Sequence, residues 1–235
     1  MQNVYYPISA YAKIGLMLIL ASGSPRRHGL LSLFGVHFRV HSTEIDERVV
    51  SGESPQDYVL RLAISKSLSI NPLSAERLVV IAADTAVVDG DQILGKPGSQ
   101  QQAIQMLSKL RDRTHTVLSG LAVRDTKNDE ILTDLCCTQV QMRDYEETEI
   151  REYVAGGDPM DKAGAYAIQN SGFAPVAQIT GCYANVVGLP LCHLARLFNR
   201  LGVPYQEEAV RGCWSDQTYS CRLVEKITAM DADDQ

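Results

Sequence analysis

The segment from Leu18 to Arg27 constrains the fold of this chain more than any other stretch. Its apolar first half is typical of a buried strand, and Ser-Gly-Ser ends that strand abruptly. Ser24 is a favoured N-cap residue and Pro25 suits the first helical position, so we expect a helix to begin at Pro25. The segment therefore predicts a strand that leads through a small polar turn into a helix.

The same turn carries two neighbouring cations, Arg26 and Arg27. Arginines in a first helical turn oppose the helix dipole, which favours anions at that end. A phosphate bound by the backbone N–H groups and the two guanidinium groups would offset this conflict. The alternative is a solvated basic pair on the helix surface. We favour the phosphate site.

Composition limits the classes of function. The 235 residues are 45% hydrophobic and 21% charged, which suits a globular chain with a buried core in one large domain or two small ones. The net charge of −6 argues against bulk nucleic-acid binding, which depends on accumulated Lys and Arg. The apolar run from Ile14 to Ala21 is too short to span a bilayer, so no membrane partner is expected.

Cysteine usage bears on the compartment. The six cysteines include no C-x-x-C pair, and no His lies at zinc-finger spacing, so a structural zinc site is not expected. The apolar run before Ala21 lacks the charge of a secretory signal, and its removal would take away the first strand. We therefore predict reduced thiols in a cytoplasmic protein.

The hydrophobic pattern predicts an N-terminal extension over 1–15, a main domain over 16–207 and a partly disordered tail over 208–235. Strands are expected near 16–21, 38–42, 78–83, 117–123 and 131–142, with a hairpin over 87–94. Helices are expected from Pro25 and over 54–71, 99–110, 145–155 and 190–201. The glycine-rich stretch 158–188 is predicted to be irregular and functional.

Polar residues that follow the predicted elements form a candidate site, because ligands of open α/β sheets collect at the carboxyl ends of strands. Several cations with separated carboxylates suit a polyphosphate ester bound with a divalent metal. The sequence contains no P-loop motif. The candidates are Ser22, Arg26, Arg27, Glu44, Asp84, Thr85, Lys96, Asp161, Lys162 and Gln169.

Each candidate also has a purely structural interpretation. Asp84 taken alone is best explained as the cap of a turn, and Glu44 belongs to an acidic cluster that would suit an ordinary charged loop. Lys66 on the second helix would normally be solvated, and Gln169 would satisfy loop backbone groups. Only their joint placement favours a binding site.

Five motifs carry a family resemblance: LILASGSPRR at 18–27, ADT at 83–85, LGKP at 94–97, PMDKAGAYAIQ at 159–169 and NVVGLP at 185–190. In this order they resemble the Maf family of nucleotide pyrophosphatases, over roughly residues 17 to 203. Two positions depart from the family pattern, Asp158 in place of Glu and Asn170 in place of Gly.

The resemblance implies a cytoplasmic enzyme that hydrolyses nucleoside triphosphates to the monophosphate and pyrophosphate with Mg²⁺ or Mn²⁺. It also implies an elongated mixed-sheet α/β fold like that of inosine-triphosphatase-like proteins, a central cleft, a homodimer, and a link to nucleotide house-cleaning and septum formation. Asp84 maps to the proposed proton acceptor, and the metal is expected on Glu44 and Asp84. The substrate-binding residues implied are Ser22, Arg26, Arg27, Lys66, Thr85, Lys96, Lys162 and Gln169.

The resemblance also implies a base specificity, because Arg26, Thr85 and Gln169 match the family's subgroup acting on dTTP and UTP. The subgroup acting on 7-methyl-GTP typically has Trp where this chain has Pro25. A Gln amide offers both a donor and an acceptor, which suits the O4 and N3–H edge of uracil or thymine. Such a pocket should reject cytosine.

Two other functions stay open at this point. A non-catalytic, nucleotide-binding regulator of cell division would have the same pocket without metal-dependent turnover. A pyrophosphatase of another base specificity would prefer ITP or 7-methyl-GTP to dTTP and UTP.

Overall fold

The structure is a computed structural model that describes residues 16–72 and 77–207. The predicted N-terminal extension and C-terminal tail, with Cys213 and Cys221, lie outside the described residues. The strands are β1 (Leu16–Leu20), β2 (Phe38–Val40), β3 (Arg77–Asp89), β4 (Gln92–Leu94), β5 (Thr114–Asp125), β6 (Glu130–Met142) and β7 (Val176–Thr180). The helices are α1 (Pro25–Ser32), α2 (Pro55–Leu68), α3 (Gln100–Leu110), α4 (Glu147–Ala155), α5 (Tyr183–Val187) and α6 (Leu191–Leu201), with 3₁₀ turns at Asp158–Asp161 and Ala163–Ala165.

The strands form a seven-stranded mixed sheet in the order β2-β1-β3-β5-β6-β7, with β4 beside β3. β1 runs parallel to β2 and β3, and the remaining pairs are antiparallel. The predicted mixed-sheet α/β fold is confirmed. None of the helices within the described ranges is long and apolar enough to cross a membrane.

β3 is open along part of one edge. Its first residues, Arg77 to Ile81, pair with β1, and its last three, Val87 to Asp89, pair with β4. Between them, residues 82–86 pair with β5 on one side and with no described strand on the other. Asp84 lies at the middle of this unpaired stretch of the strand edge.

Successive side chains of β3 point to opposite faces of the sheet. Val80, Ala82 and Ala86 lie in clusters on the side of α2. Val79 and Ile81 pack into the main core with α1 and α6. Asp84 and Thr85 therefore project from opposite faces, although they are neighbours in the chain.

Helix α2 lies very close to the sheet at Gly120 of β5. A Cβ atom added to Gly120 would lie 2.5 Å from the carbonyl oxygen of Val59 and 2.8 Å from the nitrogen of Leu60. Because these neighbours are backbone atoms, they can yield only if the whole helix moves. The glycine therefore sets the distance between α2 and the sheet.

The Gly120→Ala variant is expected to lower the free energy of unfolding by about 2 kcal/mol, since the added methyl group overpacks this contact. Urea denaturation measures it. Gly29→Ala is the matched control, because nothing lies within 4 Å of a Cβ there and the residue is inside α1. That change should raise stability by about 0.5 kcal/mol. Equal effects of the two substitutions would contradict the close approach at Gly120.

Most of the predicted elements are present, with two differences. The strand expected over 78–83 continues through Asp89, because its pairing with β5 is uninterrupted. The stretch 158–188 is not wholly irregular, since it contains β7 and α5. Both are only five residues long, too short for a periodic signal, and β7 is held by its pairing with β6. Four cysteines in the described ranges are not joined in disulfides: Cys136, Cys137, Cys182 and Cys192.

Candidate active site

A cleft of about 680 Å³ opens at the uncovered edge of β3. It is walled by the turn before α1, the loop after β2, the face of α2, the loop after β4 and the glycine-rich stretch. The structure brings together all of the predicted substrate-binding side chains in its walls, and their roles stay predictions. They are Ser22, Arg26, Arg27, Lys66, Thr85, Lys96, Lys162 and Gln169, with Asp84 among them.

The turn before α1 forms one wall. The Ser24 hydroxyl caps the helix by accepting a hydrogen bond from the Arg27 backbone N–H, 3.4 Å away. The buried Ser22 hydroxyl accepts from the Ser24 N–H at 3.2 Å and from the Arg27 guanidinium at 3.3 Å. These contacts place the N-terminus of α1 in the cleft, where its dipole favours an anion.

Arg27 joins three segments of the chain. Besides Ser22, its guanidinium donates to the carbonyl oxygen of Gly188 at 2.8 Å and to the hydroxyl of Thr85 at 3.1 Å. Burial lowers the pKa of Arg27 from its usual value, with Asp84 opposing that effect. Arg27 is thus committed to protein acceptors. Arg26 is more exposed, and its guanidinium lies 3.8 Å from the carboxylate of Asp161.

Two carboxylates meet at one lysine on the other side of β3. The buried Lys66 ammonium lies 2.5 Å from the carboxylate of Asp84 and 2.8 Å from that of Glu47. Burial acts to raise the pKa of Glu47, but the hydrogen bond and charge of Lys66 outweigh it and the pKa lies below its usual value. The cleft therefore holds two carboxylates that share one lysine.

Glu44, which the sequence predicts to bind the metal, does not line the cleft, and its role stays a prediction. Among the described residues of this loop, the carboxylate that lines the cleft is that of Glu47, whereas Glu44 is exposed outside it. The two residues lie three apart on a segment without regular structure. Because no periodicity relates side-chain directions on such a segment, the sequence could not distinguish them.

Lys162 lines the cleft with its ammonium group fully occupied. It donates to the backbone oxygen of Asp158 at 2.5 Å, to the carboxylate of Asp158 at 3.1 Å and to that of Asp161 at 2.6 Å. The Asn170 amide donates to the Asp158 carboxylate at 3.3 Å. The two departures from the family pattern, Asp158 and Asn170, therefore contact each other.

The rest of the cleft offers exposed polar groups and an apolar floor. Lys96 and Gln169 are exposed in its walls, and Ile93, Val117 and Tyr166 line it with apolar surface. The Tyr166 hydroxyl is hydrogen-bonded to Nε2 of the buried His115 at 2.8 Å. Burial lowers the pKa of His115 to about 4, so this histidine adds no charge to the floor at neutral pH. The floor suits the flat apolar faces of a base.

Sequence reasoning did not single out Glu47 and Tyr58, although both line the cleft. Glu47 was visible as part of the acidic cluster after β2. Tyr58 and Lys66 lie eight residues apart on α2, a spacing that places them on one helix face. In the described parts of the chain no group of three or more His, Cys, Asp or Glu side chains is arranged to hold a metal ion.

The family model for Maf-like proteins matches residues 17–201. The chain belongs to this family. The match covers the turn before α1, Asp84, the loop after β4 and the glycine-rich stretch, and thus every wall of the cleft. The family predicted from the five motifs is confirmed.

This Maf-like protein is similar to curated proteins and to solved structures. A dTTP/UTP pyrophosphatase of Geotalea uraniireducens is 45% identical over 185 residues, 79% of this chain and 95% of that protein. A dTTP/UTP pyrophosphatase of Dictyoglomus turgidum is 46% identical over 186 residues, 79% of this chain and 96% of that protein. A HAM1 protein structure from Coxiella burnetii is 16% identical with a TM-score of 0.41, covering 68% of this chain and 91% of that one. At that TM-score the likeness supports no argument about the sheet topology of this chain.

Proposed function

We propose that this Maf-like protein is a nucleoside triphosphate pyrophosphatase that hydrolyses dTTP and UTP to the monophosphate and pyrophosphate. The names of its relatives support this activity. The observation that carries it is the pair of carboxylates, Asp84 and Glu47, on Lys66, opposite a helix N-terminus with two arginines. That arrangement suits a polyphosphate ester, since it joins a cationic wall to groups that can hold a cation and accept a proton.

The triphosphate would lie along the cationic wall. The N-terminus of α1, Arg26 and Lys96 provide donors and positive charge there. Arg27 holds this wall to β3 through its hydrogen bonds to Gly188 and Thr85, and its positive charge adds to that of the wall. Charge stabilisation of the transferring phosphoryl group is the largest part of catalysis in phosphoryl transfer.

Asp84 would accept a proton from the water that attacks the α-phosphorus, and pyrophosphate would leave. Lys66 holds the Asp84 carboxylate at 2.5 Å and thereby fixes its direction. Because a general base must stay within hydrogen-bonding reach of the proton it takes, a fixed carboxylate at the open edge of β3 suits the role.

Glu47 and Asp84 fit a divalent cation such as Mg²⁺ or Mn²⁺, which is commonly held by one or two carboxylates together with substrate phosphates. Both lie against the same lysine nitrogen, at 2.5 Å for Asp84 and 2.8 Å for Glu47, so the two carboxylates lie on the same side of the cleft. When bound, the cation would neutralise charge on the phosphate oxygens and lower the pKa of water.

The base would lie on the apolar floor near Gln169, whose amide suits the uracil or thymine edge. Thr85 is held by Arg27 at 3.1 Å and by the Ser119 hydroxyl at 2.8 Å, so its hydroxyl has a fixed direction on that side of the cleft. Specificity through Arg26, Thr85 and Gln169 is part of the proposal.

A panel of nucleoside triphosphates tests the function. Pyrophosphate release from dTTP, UTP, CTP, ITP and 7-methyl-GTP is measured with Mg²⁺ or Mn²⁺ and again with a chelator. We expect kcat/KM for dTTP and UTP to exceed the other values at least about tenfold, because a site built on hydrogen bonds rejects bases that leave them unpaired. The chelator should abolish turnover.

Other results of the panel would overturn the proposal in different ways. A preference for ITP or 7-methyl-GTP would assign another base specificity. Binding of dTTP without pyrophosphate release under any metal condition would favour a non-catalytic regulator. The two results are distinguished by measuring dTTP binding by calorimetry beside the turnover assay.

A further inference from the structure

The loop that carries Glu47 runs from His41 to Ser54 without regular secondary structure. Most of its residues are exposed, including Val49 and Val50, so little hydrophobic burial holds it in place. Fixing such a segment costs conformational entropy for each residue. A carboxylate on it can lie steadily beside Asp84 only if other contacts hold the loop.

Those contacts come from one face of α2. The Tyr58 hydroxyl donates to the backbone oxygen of Glu47 at 3.0 Å. The Arg61 guanidinium donates to the next backbone oxygen, that of Arg48, at 3.1 Å. Two successive carbonyl groups of the loop are thus held by residues three apart on the helix.

Arg61 also holds the far end of the same segment. Its guanidinium forms a two-point ion pair with the Glu53 carboxylate at 2.5 and 2.8 Å. That carboxylate accepts the backbone N–H of Val50 at 3.1 Å, and the Glu53 N–H donates to the Val50 oxygen at 3.0 Å. One guanidinium therefore closes the segment 48–53 onto α2.

We propose that Tyr58 and Arg61 are positioning residues that hold Glu47 in place at the active site. The inference rests on the proposed function, because it assigns them a purpose through Glu47. With Lys66 binding the Glu47 side chain and Tyr58 binding its backbone, α2 fixes the residue from both sides. The helix is a rigid support, since Val59, Leu62 and Ala63 are fully buried against the sheet.

The geometry separates this role from a general contribution to stability. The Tyr58 hydrogen bond is exposed to solvent, so water can replace it when the hydroxyl is removed. Tyr145 offers the matched control: its hydroxyl also donates to a backbone oxygen, that of Leu107 at 2.8 Å, but the bond is buried and lies outside the cleft.

The Tyr58→Phe variant is expected to reduce kcat for dTTP about fivefold, because it removes the hydrogen bond that holds the Glu47 backbone. Its melting temperature should be unchanged. Arg61→Lys keeps the charge but cannot bind the Glu53 carboxylate and the Arg48 carbonyl group together, so it should reduce kcat at least as much. Tyr145→Phe should lower the melting temperature and leave kcat and KM as in the wild type.

Amide hydrogen exchange, read by mass spectrometry on a peptide spanning 44–53, tests the contact without any turnover. Exchange should be faster in the Tyr58 and Arg61 variants and unchanged in Tyr145→Phe. Unchanged exchange would overturn the proposal even if the enzyme proved inactive on dTTP. Inactive wild-type protein with the expected exchange would instead contradict only the proposed function.

A double-mutant cycle with Glu47→Gln tests whether Tyr58 acts through Glu47. If it does, adding Tyr58→Phe to Glu47→Gln should change kcat by less than about twofold, because the group it positions is already disabled. An equal fivefold loss in both backgrounds would mean that Tyr58, which itself lines the cleft, contacts the substrate directly, and would overturn the assignment.

Discussion

The Asp84→Asn variant is expected to lose pyrophosphate release from dTTP by at least about 100-fold while keeping its fold. Asparagine has the same shape, but its neutral amide cannot accept the proton from the attacking water and is a poorer ligand for a cation. Lys66 keeps Glu47 as a counter-ion at 2.8 Å, so the substitution does not leave a buried charge unpaired. Steady-state kinetics and circular dichroism of the purified variant measure the two expectations.

Asp125→Asn is the matched control for this change. Asp125 is also a buried carboxylate in an ion pair, with Arg77 at 2.5 Å, but it lies outside the cleft. Its removal should lower the melting temperature and leave kcat/KM within about twofold of the wild type, as expected for a site with no shared partners. An Asp84→Asn variant with near wild-type turnover would remove Asp84 from the mechanism.

Glu47→Gln should reduce kcat/KM at least about tenfold, whereas Glu44→Gln should leave it unchanged. Glu47 lines the cleft and shares Lys66 with Asp84, and its substitution removes a negative charge and the proposed cation ligand from that point. Glu44 is exposed outside the cleft. Parallel assays of the two variants at several Mg²⁺ concentrations make the comparison, and only Glu47→Gln should need more Mg²⁺.

The opposite pattern, with activity lost in Glu44→Gln and kept in Glu47→Gln, would support Glu44 as the metal ligand, as predicted from the sequence. It would mean that the loop after β2 rearranges when substrate binds. The two substitutions remove the same charge at positions three residues apart. A difference in activity between them therefore reports the position of the carboxylate and not the overall loss of charge.

The arrangement of β3 divides the proposed work between the two faces of the sheet. Asp84 meets Lys66 on the side of α2, and Thr85 meets Arg27 and Ser119 on the other side. Both reach one cleft only because β1 stops at Leu20 while β3 continues. The proposed proton transfer and base selection would thus fall on neighbouring residues whose side chains occupy different faces of the sheet.

The turn before α1, the family and several residues of the cleft could be predicted from the sequence. The strand and cap residues around Ser24 and Pro25 predicted the turn before α1, and the five motifs identified the family. The buried run ending at Asp84 and the two arginines indicated which residues would meet. These features depend on nearest neighbours along the chain, for which capping preference, apolar runs and proline carry direct information.

The directions of the side chains and their hydrogen-bond partners were decided only by the tertiary structure. The acid of the cluster after β2 that enters the cleft is set by contacts with α2. Those contacts come from Tyr58 and Arg61, eleven and fourteen residues after Glu47, and they depend on the close approach of that helix to Gly120. Arg26 and Arg27 look alike in the sequence, yet Arg27 is bound to Gly188 and Thr85 and Arg26 is not. An irregular loop has no period that relates its side chains, and long-range hydrogen bonds have no local signature. The sequence therefore determined which groups are available, and the packing of distant segments determined which of them line the cleft.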